Sequence, residues 1–461
     1  MKGDFTRFTF DPRKHYSGVL IQQGRVQLDA DWNEMVEMQI YFLRTLAADV
    51  IGPHGGPGES FKINDKGADN KPLVRTFAIT PGHYYVDGIL CENNSPLLYD
   101  GQAGFLSQSF GDLSSPLAGS YVVYLDVWER HVTYVEDEDE NSIGIREVAL
   151  RRPDTTTRTQ IVWQVKCLQI ATAPPPDLYK NDYDEFLKLL EPSRDDGTKL
   201  TPGKLRARAI KPSSANNEPC LTSPEARYRG AENQLYRVEI HDGGVLGKAT
   251  FKWSRENGAV IFPIEHLEGS IVTLAHLGHD DRFGLHHDDW VEIVDDDYVL
   301  QNRAEPLLQI KDIDPDTLQV TLKPSPSSTV RNDLTKHPLL RRWDQNAKNS
   351  QLTNEGTVSV REGDGTEDGA WLLLENGVQI LFPKPITGTN IYRTGDYWLI
   401  PARVATGDVE WPGKPGEPQS LPPHGIVHHY APLALISLDE HGNVTAKSAD
   451  DYRRTIKQIG S

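Results

Sequence analysis

The sequence predicts a mainly β chain: several antiparallel β-sandwich or barrel domains, one long N-terminal helix and a few short helices. Nine stretches rich in Val, Ile, Tyr, Trp and Thr, separated by Gly, Asn, Asp or Pro, carry the strand content. Between apolar runs stand Glu256-Asn257-Gly258, Glu375-Asn376-Gly377 and Glu440-His441-Gly442-Asn443, strings that favour tight hairpin turns. Strands close in sequence and joined by such turns pair antiparallel, which leads to barrels and sandwiches. Helical spacing is nearly confined to one segment close to the N-terminus.

In chain order, residues 1–58 read as an N-terminal arm, a short strand and the long helix. Met1 to Tyr16 has few apolar residues, which suits either an arm that orders on a neighbour or a strand folded back on its own domain. Val26, Leu28 and Ala30 alternate with Arg25, Gln27 and Asp29, the pattern of a short strand. The helix is expected to start at an Asp31 cap with Glu34 three residues on, and to end before Gly52-Pro53. Val36, Ile40, Leu43, Ala47 and Val50 step along one face, and Met35, Met38, Phe42 and Leu46 widen it. Such a helix is either deeply packed or meets another chain.

Residues 59–176 read as a first β domain, closed by Ala173-Pro174-Pro175-Pro176. A connector over 177–230 holds a short helix, Asp182 to Glu191, and a basic strand. Residues 231–328 form a second, barrel-like β domain and 329–446 a third β region, with a C-terminal helix over 447–461. The acidic runs Glu136 to Glu140 and Asp295 to Asp297 read as solvated turns.

With 48 Lys and Arg against 66 Asp and Glu, the net charge of −18 repels phosphate backbones, so nucleic acid is excluded as the main partner. The 38% hydrophobic content is that of a globular chain. No signal peptide and no apolar run long enough to cross a membrane are visible, so direct membrane insertion is not expected. Cys91, Cys167 and Cys220 are widely spaced and form no CxxC, which fits synthesis in a reducing cytosol.

No catalytic signature is present: HExxH, GxSxG, GxxxxGK[ST] and GxGxxG are all missing, and neither catalytic residues nor a cofactor is expected. Gly243 to Ala249 has the wrong spacing for a phosphate loop and reads as a turn. A run of imidazoles and carboxylates from His276 to Asp289 has metal-ligand chemistry, with His279, Asp281, His286 and Asp288 as candidates, but lacks helical spacing and reads by default as a hydrated acidic loop. Lys204, Arg206 and Arg208 alternate with Leu205, Ala207 and Ala209, giving a strand whose basic face is either simply solvated or docks an acidic partner. Four segments mix Arg, carboxylate and aromatic residues: Tyr228 to His241, Phe251 to Gly258, His337 to Gln345 and Tyr392 to Trp398. Arg fits carboxylates bidentately and stacks on rings, so these segments are expected to build fixed polar networks or interfaces in preference to an active site.

The opening residues, Lys2-Gly3-Asp4-Phe5-Thr6-Arg7, Phe10-Asp11-Pro12 and Gln22 to Glu34, resemble the N-terminal signature of an uncharacterised bacterial domain family. Its genes lie beside baseplate and tail genes of phage-tail-like contractile injection systems. Further stretches, among them Tyr228 to His241, Phe251 to Gly258 and His428 to Leu433, extend the likeness over most of the chain. One departure is Arg151-Arg152, where the family pattern has Gly-Gly. The resemblance implies a structural component of a contractile particle, in contact with baseplate, tube or sheath subunits and expected to be homo-oligomeric. The particle is cytoplasmic, membrane-anchored or released. Interface candidates are Asp4, Arg7, Asp11, Gln22, Gln23, Arg25, Trp32 and Asn33, with Lys204, Arg206 and Arg208 from the basic strand. The rival expectations are a fibre- or spike-associated module that binds a glycan or membrane, favoured by exposed aromatic platforms, and a polysaccharide-degrading enzyme with paired carboxylates.

Overall fold

The computed structural model describes residues 1–67, 70–105, 118–137, 144–171, 178–190, 200–211, 226–326, 333–346, 352–366, 369–414 and 416–457. It is mainly β, and its sheets are largely antiparallel. The chain does not divide linearly as expected. One compact unit takes Met1–Phe8, Val132–Arg158 and Ser193–Gly425; the second takes Thr9–His131, Thr159–Pro192 and Ile426–Ser461. The interleaving arises because strand Gly119–Val132 pairs with His429–Leu438, some 300 residues later in the chain.

The first unit joins a closed six-stranded barrel to a sandwich. The barrel runs from Ile261–Glu268 to Leu339–Trp343, so it extends beyond the boundary expected at 328. Phe262, Val272, Ile310, Val320 and Leu340 fill it. In the sandwich a five-stranded sheet centred on Gln234–Ile240 faces a sheet built on Arg206–Ala209 and Val378–Pro383. Tyr236, Val238, Ile240, Trp253, Ile380 and Trp398 pack between them. Asn376 and Gly377 both have positive φ and close a hairpin between Leu372–Leu373 and Val378–Pro383. A Cβ on Gly377 would lie 2.3 Å from the Arg227 carbonyl, so glycine is required there. Asn257 and Gly258 adopt the same conformation, but their turn leads from the sheet into the barrel and closes no hairpin, because Thr250–Ser254 pairs with Gln234–Ile240 and Val358–Ser359.

The second unit packs a four-stranded sheet of Val444–Asp451, His429–Leu438, Gly119–Val132 and Arg158–Ile170 with two three-stranded sheets. Its core is apolar: Phe61, Phe77, Ile79, Tyr84, Val123, Leu125, Val165, Leu433 and Ile436. The short helix Tyr183–Leu190 buries Phe186 beside Val122 and Tyr452. Helix α1, Asp29–Ile51, belongs to this unit.

Several local expectations are corrected. Residues 444–451 are a strand and not the start of a C-terminal helix, since their backbone pairs with Ala434–Leu438. Helix α1 starts two residues before the expected cap: Leu28 is its N-cap without a side-chain bond, and Asp29 and Asp31 lie in the first turn, where carboxylates favour the positive end of the helix dipole. Arg25 to Leu28 forms no strand, because no neighbouring backbone pairs with it. Asp295 to Asp297 is no solvated turn: Asp295 caps the helix Asp296–Leu300, Asp296 meets His337 at 2.8 Å, and Asp297 pairs with Lys336. Of the Glu136 to Glu140 run, only Glu136 and Asp137 are among the described residues, and Glu136 accepts from the Thr133 amide. Arg151 and Arg152 hold φ of 68° and 56°, so the turn that glycines would make freely is kept by two arginines at a steric cost.

Candidate functional site

The four Arg–carboxylate–aromatic segments meet in the first unit. Strand pairing sets Glu239 opposite Lys252 and Arg237 opposite Ser254, while Val238 and Ile240 turn to the apolar core. On the polar face Glu239 is held by Arg237 at 2.5 Å, Lys2 at 3.0 Å and Lys252 at 3.6 Å. Lys252 continues to Glu292 of the barrel at 2.6 Å, and Glu292 also accepts from Trp343 Nε1 at 3.0 Å and from the Tyr298 hydroxyl. Lys252 lies over the Trp343 ring, and Arg237 over Tyr397. Burial acts to raise Glu239, yet Lys2, Arg237 and Lys252 outweigh it and hold the carboxyl well below its usual range. Glu292 is likewise held down to about 2, the cations Lys252 and Lys2 overcoming burial.

The first residues of the chain complete this network. The Met1 amine donates to the Tyr397 hydroxyl at 2.8 Å, Arg237 donates to the Met1 carbonyl, and Asn257 Nδ2 donates to the Gly3 carbonyl at 2.9 Å. Met1 to Phe8 therefore folds into the first unit of its own chain, Thr9 to Tyr16 belong to the second unit, and neither stretch forms a strand. No sequence pattern marked Lys2 as a partner of Glu239, because the two are brought together only by the fold.

A second layer lies beside the first. Arg282 grips Glu256 through two bonds of 2.7 and 2.9 Å, Arg255 grips Glu375 through two of 3.0 and 2.9 Å, and Asp344 accepts from the Arg255 amide at 2.8 Å. Burial, with Asp344 and Asp4 close by, pushes Glu256 up to about 7. Tyr236 donates to Glu375 at 3.0 Å. Each of these carboxylates is engaged by cations or hydrogen-bond donors, an arrangement that fixes strands against one another.

The other sequence candidates are dispersed. His279 stacks on His276; His286 bonds to Asp281 at 3.0 Å and approaches Asp289 at 3.4 Å; Asp288 occupies a left-handed turn position. Among the described residues no three His, Cys, Asp or Glu side chains converge as metal ligands. The amides of Gly243 and Gly244 are taken by Thr394 and Tyr392. His428 and His429 pair with Asp126 and Asp87. Arg206 donates to Ser420 and Arg208 to Gln379, with Arg208 stacked on Trp371, while Leu205, Ala207 and Ala209 are buried. Beside this strand a cavity of about 530 Å³ is lined by Arg208, Lys211, Arg227 and Lys414 together with Trp411 and Asp408. Lys204 is exposed.

Of the N-terminal candidates, Arg7 pairs with Glu410 at 3.0 Å and Asp11 caps the turn Pro12–Lys14. Asp4, Gln22, Gln23 and Arg25 are exposed, and Asn33 is half-buried. Helix α1 is the unusual surface. It docks on its unit through Ala30 and Met38 and through a two-bond pair of Arg44 with Glu129 at 3.0 and 2.7 Å. Gly88 lets it approach, since a Cβ there would sit 2.1 Å from the Arg44 carbonyl. Trp32, at 66% exposure, Leu43, at 66%, and Leu46, at 61%, point away. Leu20, Ile21, Val26 and Leu28, just before the helix, are exposed as well. No helix among the described residues is long and apolar enough to cross a membrane.

A model of a protein family of unknown function, DUF6519, matches residues 1–198 and 196–446. No curated protein and no solved structure matches the chain.

Proposed function

The chain belongs to that family, and from this premise we propose that it is a structural subunit of a phage-tail-like contractile injection system, attached at the baseplate or tail and working by assembly and not by turnover. The observation that carries the assembly reading is the apolar face that α1 and the residues before it turn to solvent. Contiguous apolar surface of this kind on a globular chain marks a protein–protein contact. The contractile particle as its setting rests on the likeness of Lys2 to Glu34 to the N-terminal signature encoded beside tail genes. Its neighbours are baseplate, tube or sheath subunits, and the protein reaches the particle after synthesis in the cytosol.

The buried aromatics favour this over a glycan platform: Trp128, Trp253, Trp343 and Trp398 are all inside, and the one tryptophan among the strongly exposed apolar residues, Trp32, lies on α1. The test is sedimentation of contractile particles from the native host followed by mass spectrometry. The chain should co-sediment with sheath and tube, and Leu43→Asp with Leu46→Asp should release it. Its absence from intact particles ends this assignment. Deleting residues 1–34 is a poor test, because it also removes Lys2 from Glu239 and opens the first unit.

A further inference from the structure

We propose that α1 pairs in register with α1 of a second copy of this chain, forming a short parallel coiled coil; this rests on the assembly reading above and names its partner. Trp32, Val36, Gln39, Leu43, Leu46 and Val50 follow one another at steps of four, three, four, three and four, which is the a/d spacing of nearly three heptads. Every one of the six is exposed. A helix on a globular surface turns its apolar stripe inward and its charges outward. Here the long apolar stripe is left outside, while the side facing the chain's own unit holds Ala30 and Met38 together with the bonds of Glu34 to Thr9 and Arg44 to Glu129.

Composition and charge identify a second copy as the occupant. Val36, Leu43 and Val50 take the a positions and Trp32, Gln39 and Leu46 the d positions; Val36 and Val50 are β-branched and Leu46 supplies the Leu at d, features that favour two parallel strands. Gln39 is the single amide among the six; at its d position in a parallel pair it faces Gln39 of the other copy, where each amide satisfies its counterpart. Copies of a chain carrying −18 repel each other. The flanking positions Asn33, Met35, Ile40, Phe42 and Ala47 are uncharged, and Asp49 alone carries a charge, so the approach along this seam is nearly free of that repulsion. The exposed aromatic and aliphatic side chains of the helix and of residues 20–28 offer on the order of 1,000 Å² per chain, against the roughly 800 Å² per partner of a standard interface. The helix itself is about 35 Å long.

The test uses the full chain. Sedimentation velocity at micromolar concentration should give twice the 51.6 kDa of one chain, and Leu43→Asp with Leu46→Asp should return it to a monomer with an unchanged circular dichroism spectrum. Independently of that variant, Gln39→Cys should form an intermolecular disulfide under mild oxidation, whereas Thr45→Cys, on another face of α1, should not. Both cysteine variants are made in a Cys220→Ser background; the native Cys91 and Cys167 are buried, with thiols pushed up to about 12, and do not interfere. A monomeric wild type at these concentrations, or a dimer in which Gln39→Cys fails to cross-link, overturns the proposal. A chain that pairs through α1 but never sediments with contractile particles refutes only the particle assignment. A chain found in particles yet monomeric by itself refutes only the pairing.

Discussion

The first unit buries charge and the second exposes apolar surface. In the first, Glu239, Glu292, Arg237 and Lys252 are all at least 97% inaccessible, yet each is matched by opposite charge or hydrogen bonds. In the second, the core is apolar, but α1 leaves Trp32, Leu43 and Leu46 in water. Desolvated ions are tolerated when opposite charge and hydrogen bonds offset their lost hydration, and these four find such partners within one chain. An exposed apolar stripe has no such closure and awaits a partner.

The sharpest way to break this contrast is to remove one carboxylate. Glu292→Gln leaves Lys252 without its nearest anion and should cost about 3–5 kcal/mol. Hydrogen–deuterium exchange should show the loss in Thr250–Ser254 and Leu339–Trp343; unchanged protection there means the network is not what holds the strands. Next in size, Met38→Ala removes the most buried large side chain by which α1 grips its unit, and should cost about 2–4 kcal/mol in urea unfolding, seen as faster exchange over 29–51.

Protons probe the two units in opposite directions. Burial holds His54, in the second unit, down to about 4, with Arg454 adding to the effect. The unfolded imidazole takes a proton near 6.5 and the folded one does not, so His54 contributes stability above 6.5 that is lost as pH falls towards 4. For Glu256 in the first unit the folded value is raised to about 7, so its contribution is largest at low pH and disappears as pH rises from about 4.5 to 7. Urea midpoints measured across pH 4 to 8 should show that His54→Gln flattens the acid-side fall and Glu256→Gln the neutral-side fall. If Glu256→Gln leaves the profile unchanged, the Arg282 pair keeps that carboxylate ionised throughout. The smallest effect concerns the turn at Arg151-Arg152: replacing both by Gly relieves left-handed strain and should stabilise by about 1 kcal/mol in thermal unfolding.

Much of the architecture was legible. The alternation of Arg237, Glu239 and His241 against Tyr236, Val238 and Ile240 predicts a strand with one polar and one apolar face, and both faces are found buried as such. The hairpin turn at 376–377 is found as expected, whereas 257–258 takes a turn conformation and closes no hairpin. What failed were elements whose state depends on distant pairing. Residues 448–451 read as the start of a helix and became strand because His429–Leu438 offered an edge; Arg25 to Leu28 has strand alternation and no edge to join. The sequence left the segment holding Lys2 open between an arm and a folded-back strand, because nothing local reveals a partner 237 positions away.

By itself the sequence determined the β class, the long helix with its apolar stripe, and the grouping of Arg, carboxylate and aromatic residues in four segments, because each depends on spacing along the chain. Only the tertiary structure decided which face of α1 remains in water, that the four segments share one network with Lys2, and that the chain interleaves into two units. Those outcomes depend on which surfaces are already covered when an element docks, and local residue patterns carry no record of that.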